Sequence, residues 1–118
     1  MPQVTQTVRT NIASNTTQDN VLENTKLENV PTDDAYMVTV LATASSFDVE
    51  HKLEADTDVL IQPSIVGDTD RRPQDPEDFI GEYAVTGGSK LFLEVTNNDG
   101  TNAQDHTVTI VLTPMSMA

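Results

Sequence analysis

From residue 35 onward, apolar and polar residues alternate along this chain with a period of two. The alternation is clearest in residues 47–54, where one face is apolar and the opposite face carries the charged side chains. A period of two is typical of a β-strand that buries one face. In residues 36–41 both faces are apolar, which predicts a strand in the centre of a sheet. The predicted inward side chains of residues 47–54 are Phe47, Val49, His51 and Leu53.

Turn-forming residues separate the predicted strands. Pro63 follows a short apolar run and predicts a strand that is either broken there or at the edge of a sheet, because proline has no N–H to donate to a neighbouring strand. Gly87 and Gly88 lie between two alternating segments, residues 79–85 and 91–95, and predict a tight turn that joins the two segments as a β-hairpin. No segment shows a sustained helical period.

The alternating segments predict six strands after residue 35, the last of which ends before Pro114. The segment before residue 35 adds two weaker strands. Because each sheet must bury its apolar face, the sequence predicts an all-β fold in which two antiparallel sheets pack as a sandwich. The jelly roll is one such topology, and the sequence leaves the order of the strands open.

Residues 1–34 differ from the rest of the chain. They are rich in Thr, Asn and Gln, contain no aromatic residue and place their few apolar residues far apart. Residues 4–10 nevertheless have β-propensity. We therefore predict that residues 1–34 form an extended arm and residues 35–118 a β-sandwich domain. The arm is expected to add a strand to a neighbouring subunit, and its predicted interface residues are Val4, Val8 and Ile12.

Composition narrows the classes of partner. The 118 residues fit one domain, and 19 acidic against 6 basic residues give a net charge of −13. This charge disfavours binding to nucleic acid or to anionic membranes. The chain has no cysteine and no apolar run long enough to span a bilayer, and its first residues predict no secretory signal. Its acidic, lysine-poor composition is typical of proteins from high-salt environments, although an ordinary acidic protein has the same property.

The longest irregular segment, residues 67–78, is a candidate for binding a cation or a partner. Carboxylate oxygens of the kind that calcium prefers are available there, but their spacing does not match an EF-hand loop. A solvated loop, in which the two arginines pair with neighbouring acids, is the simpler interpretation. The same arginines, Arg71 and Arg72, are also candidates for docking on an acidic partner. The weak metal candidates are Asp68, Asp70, Asp75 and Asp78.

Catalytic residues are sparse. The chain has two histidines: His51 is expected in the core, and His106 near a loop. No Gly-x-Ser-x-Gly motif accompanies them. A second oxygen-rich loop is explained by the tendency of Asn and Asp to form turns, without a bound ligand. We therefore predict a protein without enzymatic activity or a cofactor. The oxygen-rich loop contains Asn97, Asn98, Asp99, Asn102 and Asp105.

The layout of an arm over residues 1–30, strands over residues 36–113 and a short tail over residues 114–118 resembles that of small virion structural proteins. The resemblance implies a minor capsid or decoration protein that acts through copies of itself and other virion proteins, assembled in the host cytoplasm into symmetric oligomers. A tail or fibre component shares this setting. The alternative class is a calcium- or carbohydrate-binding β-sandwich module, in which loops at one end form the site.

Overall fold

The computed structural model describes residues 3–32, 34–66 and 78–115, and within these ranges it contains eight β-strands and no helix. The strands run in chain order through the whole described sequence. They are β1 Val4–Ile12, β2 Thr16–Gln18, β3 Tyr36–Ala44, β4 Val49–Ala55, β5 Asp58–Ile65, β6 Phe79–Val85, β7 Leu91–Asn97 and β8 Gln104–Pro114.

The eight strands form two antiparallel sheets of four strands each. The first sheet has the order β1-β8-β3-β6, and the second has the order β2-β7-β4-β5. This confirms the predicted all-β fold with two antiparallel sheets. Tyr36 begins the predicted central strand β3, which lies between β8 and β6. Pro63 lies in β5, which is an edge strand as predicted.

One apolar core lies between the sheets, an arrangement compatible with the predicted sandwich. Strands β4 and β7 alternate strictly between buried and half-buried residues, as the period of two in their sequences predicts. Both sheets contribute to the same cluster of buried side chains. Its fully buried members from the strands include Ile12, Tyr36, Val38, Val40, Leu53, Leu91, Leu93, Val108, Ile110 and Leu112.

The predicted β-hairpin of residues 79–85 and 91–95 is wrong, because β6 lies in the first sheet and β7 in the second. The turn between them crosses from one sheet to the other. Gly87 allows the turn to pack closely, since a Cβ atom there would lie 2.2 Å from the carbonyl oxygen of Asp34. Gly88 has a φ of +86° and donates its backbone N–H to the carbonyl of Val30 at 3.0 Å. The two glycines therefore serve a crossing between sheets.

Phe47, for which the sequence predicts a position in the core, is exposed, and so is Phe79. Phe47 is 63% exposed because β4 begins at Val49, so Phe47 lies in the preceding loop. Phe79 is 45% exposed at the start of edge strand β6. The sequence pattern included Phe47 in the period of two, but a loop residue does not follow the alternation of the strand that it precedes.

The separate amino-terminal arm is not confirmed. β1 pairs with β8 of the same chain along its whole length, from Val4 opposite Leu112 to Ile12 opposite Gln104. After β2, the chain continues along the edge of β7 through backbone hydrogen bonds, including those from Val21 to Leu93 and from Leu91 to Glu28. This path brings widely spaced apolar residues into the common core. The buried residues of the segment are Ile12, Val21, Leu22, Leu27 and Val30.

Candidate functional site

The two histidines of the chain meet in the core. His51 belongs to β4 in the second sheet and His106 to β8 in the first, and their side chains are 2% and 0% exposed. The Nε2 atom of His106 lies 3.4 Å from the Nδ1 atom of His51. The rings are 5.6 Å apart between centroids and 66° apart in plane, an edge-to-face arrangement. The histidine pair is thus a polar contact between the two sheets.

Each ring of the histidine pair keeps one nitrogen without a partner, namely Nε2 of His51 and Nδ1 of His106. Two neutral imidazoles carry two N–H groups and two lone pairs. One N–H and one lone pair meet between the rings, so the other N–H and lone pair are buried without a hydrogen bond. Each such group costs roughly 1–3 kcal/mol. The pair therefore lowers stability relative to an apolar contact of the same shape.

Burial makes both histidines weak bases. Desolvation lowers the pKa of His51 to about 4. It also lowers the pKa of His106, to about 3, and repulsion from a charged His51 ring adds to this effect. Both rings are therefore neutral near pH 7. A proton can enter the pair only at a large cost in folding free energy.

The oxygen-rich loop between β7 and β8 is held by its own side chains. Asp99 accepts hydrogen bonds from the backbone N–H groups of Thr101 and Asn102 at 2.8 and 3.1 Å, and from the Gln104 side chain at 2.8 Å. These hydrogen bonds, first of all that from Thr101, lower the pKa of Asp99. Both carboxylate oxygens of Asp99 are thus occupied within the turn, which is compatible with the turn interpretation of the sequence.

Asn97 joins this loop to the end of β1. Its side chain is completely buried, and its Nδ2 atom donates to the carbonyls of Ile12, Ala13 and Asn102 at 3.0, 3.3 and 3.0 Å. Its Oδ1 atom accepts the backbone N–H of Asp99 at 2.9 Å. One buried amide therefore satisfies backbone groups from two loops at the same end of the molecule.

Replacing Asn97 with alanine is expected to destabilise the protein by about 3 kcal/mol, because buried carbonyls lose their donor. The Asn97→Asp change is expected to cost more, since it places a carboxylate against the same carbonyls. Urea unfolding monitored by circular dichroism measures both effects. The neighbouring Asn98 is exposed, and Asn98→Ala is the matched control, expected to change stability by less than about 0.5 kcal/mol. Equal effects at the two positions would contradict this role of Asn97.

The predicted metal candidates are only partly within the described residues. Asp68, Asp70 and Asp75 lie outside them, as do the predicted docking residues Arg71 and Arg72. Asp78 lies in the turn before β6, where its backbone carbonyl accepts the N–H of Ala42 at 3.0 Å. Within residues 3–32, 34–66 and 78–115, no group of three or more His, Asp or Glu side chains is placed to hold a metal ion.

The predicted interface residues of the arm face inward. Ile12 is 1% exposed and belongs to the core cluster. Val4 and Val8 are half-buried and pack against that cluster. Their alternation with polar residues is the pattern of an edge strand with one buried face.

Two shallow depressions lie on the described surface. One, of about 400 Å³, lies between β5 and the turn after β6 and includes Asp56, Asp58 and Leu60. The other, of about 540 Å³, lies on the outer face of the first sheet and includes Phe79, Leu41 and Val111. Neither depression is lined by a histidine.

The sequence contains a signal for the buried position of His106 that the loop interpretation overlooked. His106 precedes Val108, Ile110 and Leu112 at intervals of two, so it falls on their apolar face. No comparable signal identifies Asn97, whose role depends on the close approach of residues 12 and 13 to the β7–β8 loop.

Comparisons with known proteins add no relative. No protein-family model matches the chain, and no curated protein matches it significantly. Across the described residues, no helix is long and apolar enough to cross a membrane.

Proposed function

We propose that this chain is a jelly-roll structural subunit of a virus particle, acting through contacts with its own copies and with other virion proteins. The observation that carries the proposal is the pattern of strand neighbours. The pairs β1–β8, β2–β7, β3–β6 and β4–β5 are all antiparallel and hydrogen-bonded. Such nested pairs describe a single two-stranded ribbon whose tip is the β4–β5 turn.

When that ribbon is rolled up, β8 comes to lie beside β3, and β7 comes to lie beside β4. The result is two four-stranded sheets in the orders 1-8-3-6 and 2-7-4-5, which is the arrangement that supports a jelly roll. Jelly rolls occur in viral capsid proteins, in lectins and in cupins. These three classes of protein differ in where their functional site lies on the fold.

The interior of this jelly roll is filled with side chains. Between the sheets lie fully buried apolar residues such as Leu53, Leu93 and Ile110. A carbohydrate site usually presents an exposed aromatic platform, but Phe47 and Phe79 are exposed at separate places, one in a loop and one on an edge strand. These observations favour a subunit that acts through its outer surfaces.

The acidic surface suggests how assembly depends on salt. Glu50, Glu54 and Glu94 lie on the outer face of the second sheet around Lys52, whose Nζ atom is 3.2 Å from an Oε1 atom of Glu54. Copies with a net charge of −13 repel each other at low ionic strength. In molar salt the Debye length falls to about 3 Å, which removes most of this repulsion.

We expect purified protein to form a discrete symmetric oligomer in 1 M NaCl and to dissociate in dilute buffer. Size exclusion with light scattering gives the absolute mass under both conditions, for comparison with the 12.8-kDa chain. Adding calcium or a panel of sugars is the control for a binding module and is expected to leave the melting temperature unchanged. A monomer at both ionic strengths would contradict the proposal.

A further inference from the structure

Acidic residues are absent from the first 18 residues of this acidic protein. All 19 Asp and Glu residues lie at position 19 or beyond, and residues 1–18 contain a single charged side chain, Arg9. Residues 19–118 contain five basic against 19 acidic side chains, a net charge of −14. Arg9 is paired, since its Nη2 atom lies 2.8 Å from the Oδ2 atom of Asp105. The acid-free stretch includes β1 and β2, the edge strands on one side of the two sheets.

The backbone of β1 presents a regular open edge. Ser45 donates its N–H to the carbonyl of Asp105, and Met115 donates to that of Ala35, so the odd-numbered residues of β8 bond to β3. Because successive residues of a strand bond to opposite sides, the even-numbered residues of β8 bond to β1. In β1 the residues bonded to β8 are then also even-numbered, and the N–H groups directed outward belong to Thr5, Thr7, Arg9 and Asn11.

The other three edges carry features that discourage pairing. β2 has only three residues. β5 contains Pro63 and two register shifts against β4, and β6 has a register shift against β3 and carries the exposed acid Glu82. β1 has nine residues, no proline and an unbroken register with β8. Among the described strands, none lies on its outer side.

We propose that the open edge of β1 pairs antiparallel with β1 of a second copy, across a twofold axis at Val8. The two first sheets then become one continuous eight-stranded sheet. Thr7 lies opposite Arg9 of the second copy, and Thr5 lies opposite Asn11, so the outward N–H groups of Thr5, Thr7 and Asn11 find carbonyl partners. No acidic residue of either β1 lies in the contact. This pairing rests on the proposed function, for which it names the surface and the partner.

Thr7→Pro tests this pairing without removing a backbone hydrogen bond of the fold, because the lost N–H points outward and proline is tolerated on such an edge. The side-chain hydrogen bond between the Oγ1 atoms of Thr7 and Thr109 is lost as well. Ala84→Pro is the matched control: Ala84 is exposed on β6, the opposite edge of the same sheet, and its N–H also points outward from the β3 pairing. In 1 M NaCl, light scattering is expected to give twice the chain mass for wild type and Ala84→Pro. Thr7→Pro is expected to dimerise at least about 100-fold more weakly, while circular dichroism shows that it is folded.

A crosslink keeps the test decisive if the proline variant does not fold. The natural chain has no cysteine, so an introduced cysteine can form a disulfide only with the same cysteine of another copy. Val8→Cys is expected to form a disulfide-linked dimer on oxidation, because cysteines opposite each other across the twofold axis have suitable geometry. Thr10→Cys, on the same face but opposite Gln6 of the second copy, is the control and is expected to stay monomeric in non-reducing gels.

The possible failures are distinguishable. An oligomer whose mass is insensitive to Thr7→Pro, with no crosslink at position 8, would overturn the β1 pairing and leave the subunit proposal standing. Equal crosslinking at positions 8 and 10 would also overturn the pairing. A wild-type monomer at all ionic strengths would overturn both proposals.

Discussion

A chain that lacks residues 1–30 is expected to be unfolded at 25 °C. The deletion removes the five buried apolar side chains Ile12, Val21, Leu22, Leu27 and Val30. Each is worth roughly 1.5–3 kcal/mol in burial alone, against a total stability of about 5–15 kcal/mol for a typical domain. The deletion also exposes one whole edge of β8. Circular dichroism and a thermal melt of the truncated chain measure the result.

Single substitutions in the undeleted chain also test whether residues 1–30 contribute to stability, with a smaller change to the protein. Leu27→Ala is expected to cost about 2–5 kcal/mol, because Leu27 is completely buried. Thr17→Ala, at an exposed position in β2, is the matched control and is expected to change stability by less than about 0.5 kcal/mol. If the truncated chain melted cooperatively, and Leu27→Ala had no effect, residues 1–34 would be the detachable arm that the sequence predicts.

Acidification from pH 8 to pH 5 is expected to lower the free energy of unfolding by roughly 4 kcal/mol through the histidine pair alone. Burial holds the pKa of His51 at about 4 and that of His106 at about 3, well below the value near 6.5 of an unfolded chain. Between pH 6.5 and the folded pKa values, the unfolded state therefore binds more protons. At pH 5 each histidine contributes about 2 kcal/mol of the loss.

As the pH falls, the histidine pair lowers the free energy of unfolding, whereas the acidic surface has the opposite effect. Stability from the neutral histidines is fully present above pH 6.5 and falls as the pH decreases toward 3. Neutralising surface carboxylates relieves their mutual repulsion and raises stability. No carboxylate or cation occupies the strand positions directly opposite either ring. The residues in those positions are Thr10, Ala44, Ser64 and Val95.

The double variant His51→Leu and His106→Leu removes both histidines of the chain and is the control for this prediction. We expect it to be at least as stable as wild type at pH 8, because two unsatisfied polar groups disappear. Its stability is expected to be nearly constant between pH 6.5 and 5. Urea unfolding at several pH values measures the difference between the two proteins, and parallel pH profiles would refute a role for the histidine pair.

The alternation of residue types predicted most of the fold because each β-strand that borders a core must show it. Strands β4 and β8 are clear cases, and Pro63 marked an edge strand through its missing N–H. The partner of each strand depends on contacts between distant segments. For that reason the Gly87-Gly88 turn was compatible with a hairpin in sequence, although the chain crosses between sheets there.

The candidate site was harder to predict than the strands. The inward position of His51 followed from its neighbours Val49 and Leu53, but nothing in the sequence indicates that His106 faces it from the other sheet. The sparse apolar residues of the first 30 residues suggested weak core material. In the structure they are sufficient, because β1 pairs with β8, the chain after β2 follows the edge of β7, and their apolar residues join the common core.

The pairing of β1 with β8 also determines when this protein can fold. Ile12 lies opposite Gln104, so the first sheet cannot be completed until nearly the whole described chain has left the ribosome. Proteins dominated by such distant pairings fold in milliseconds to seconds, much more slowly than helical bundles of the same size. Until β8 arrives, nascent chains carry an unpaired β1 whose valines are exposed. In a crowded polysome, these chains are the species most prone to aggregation.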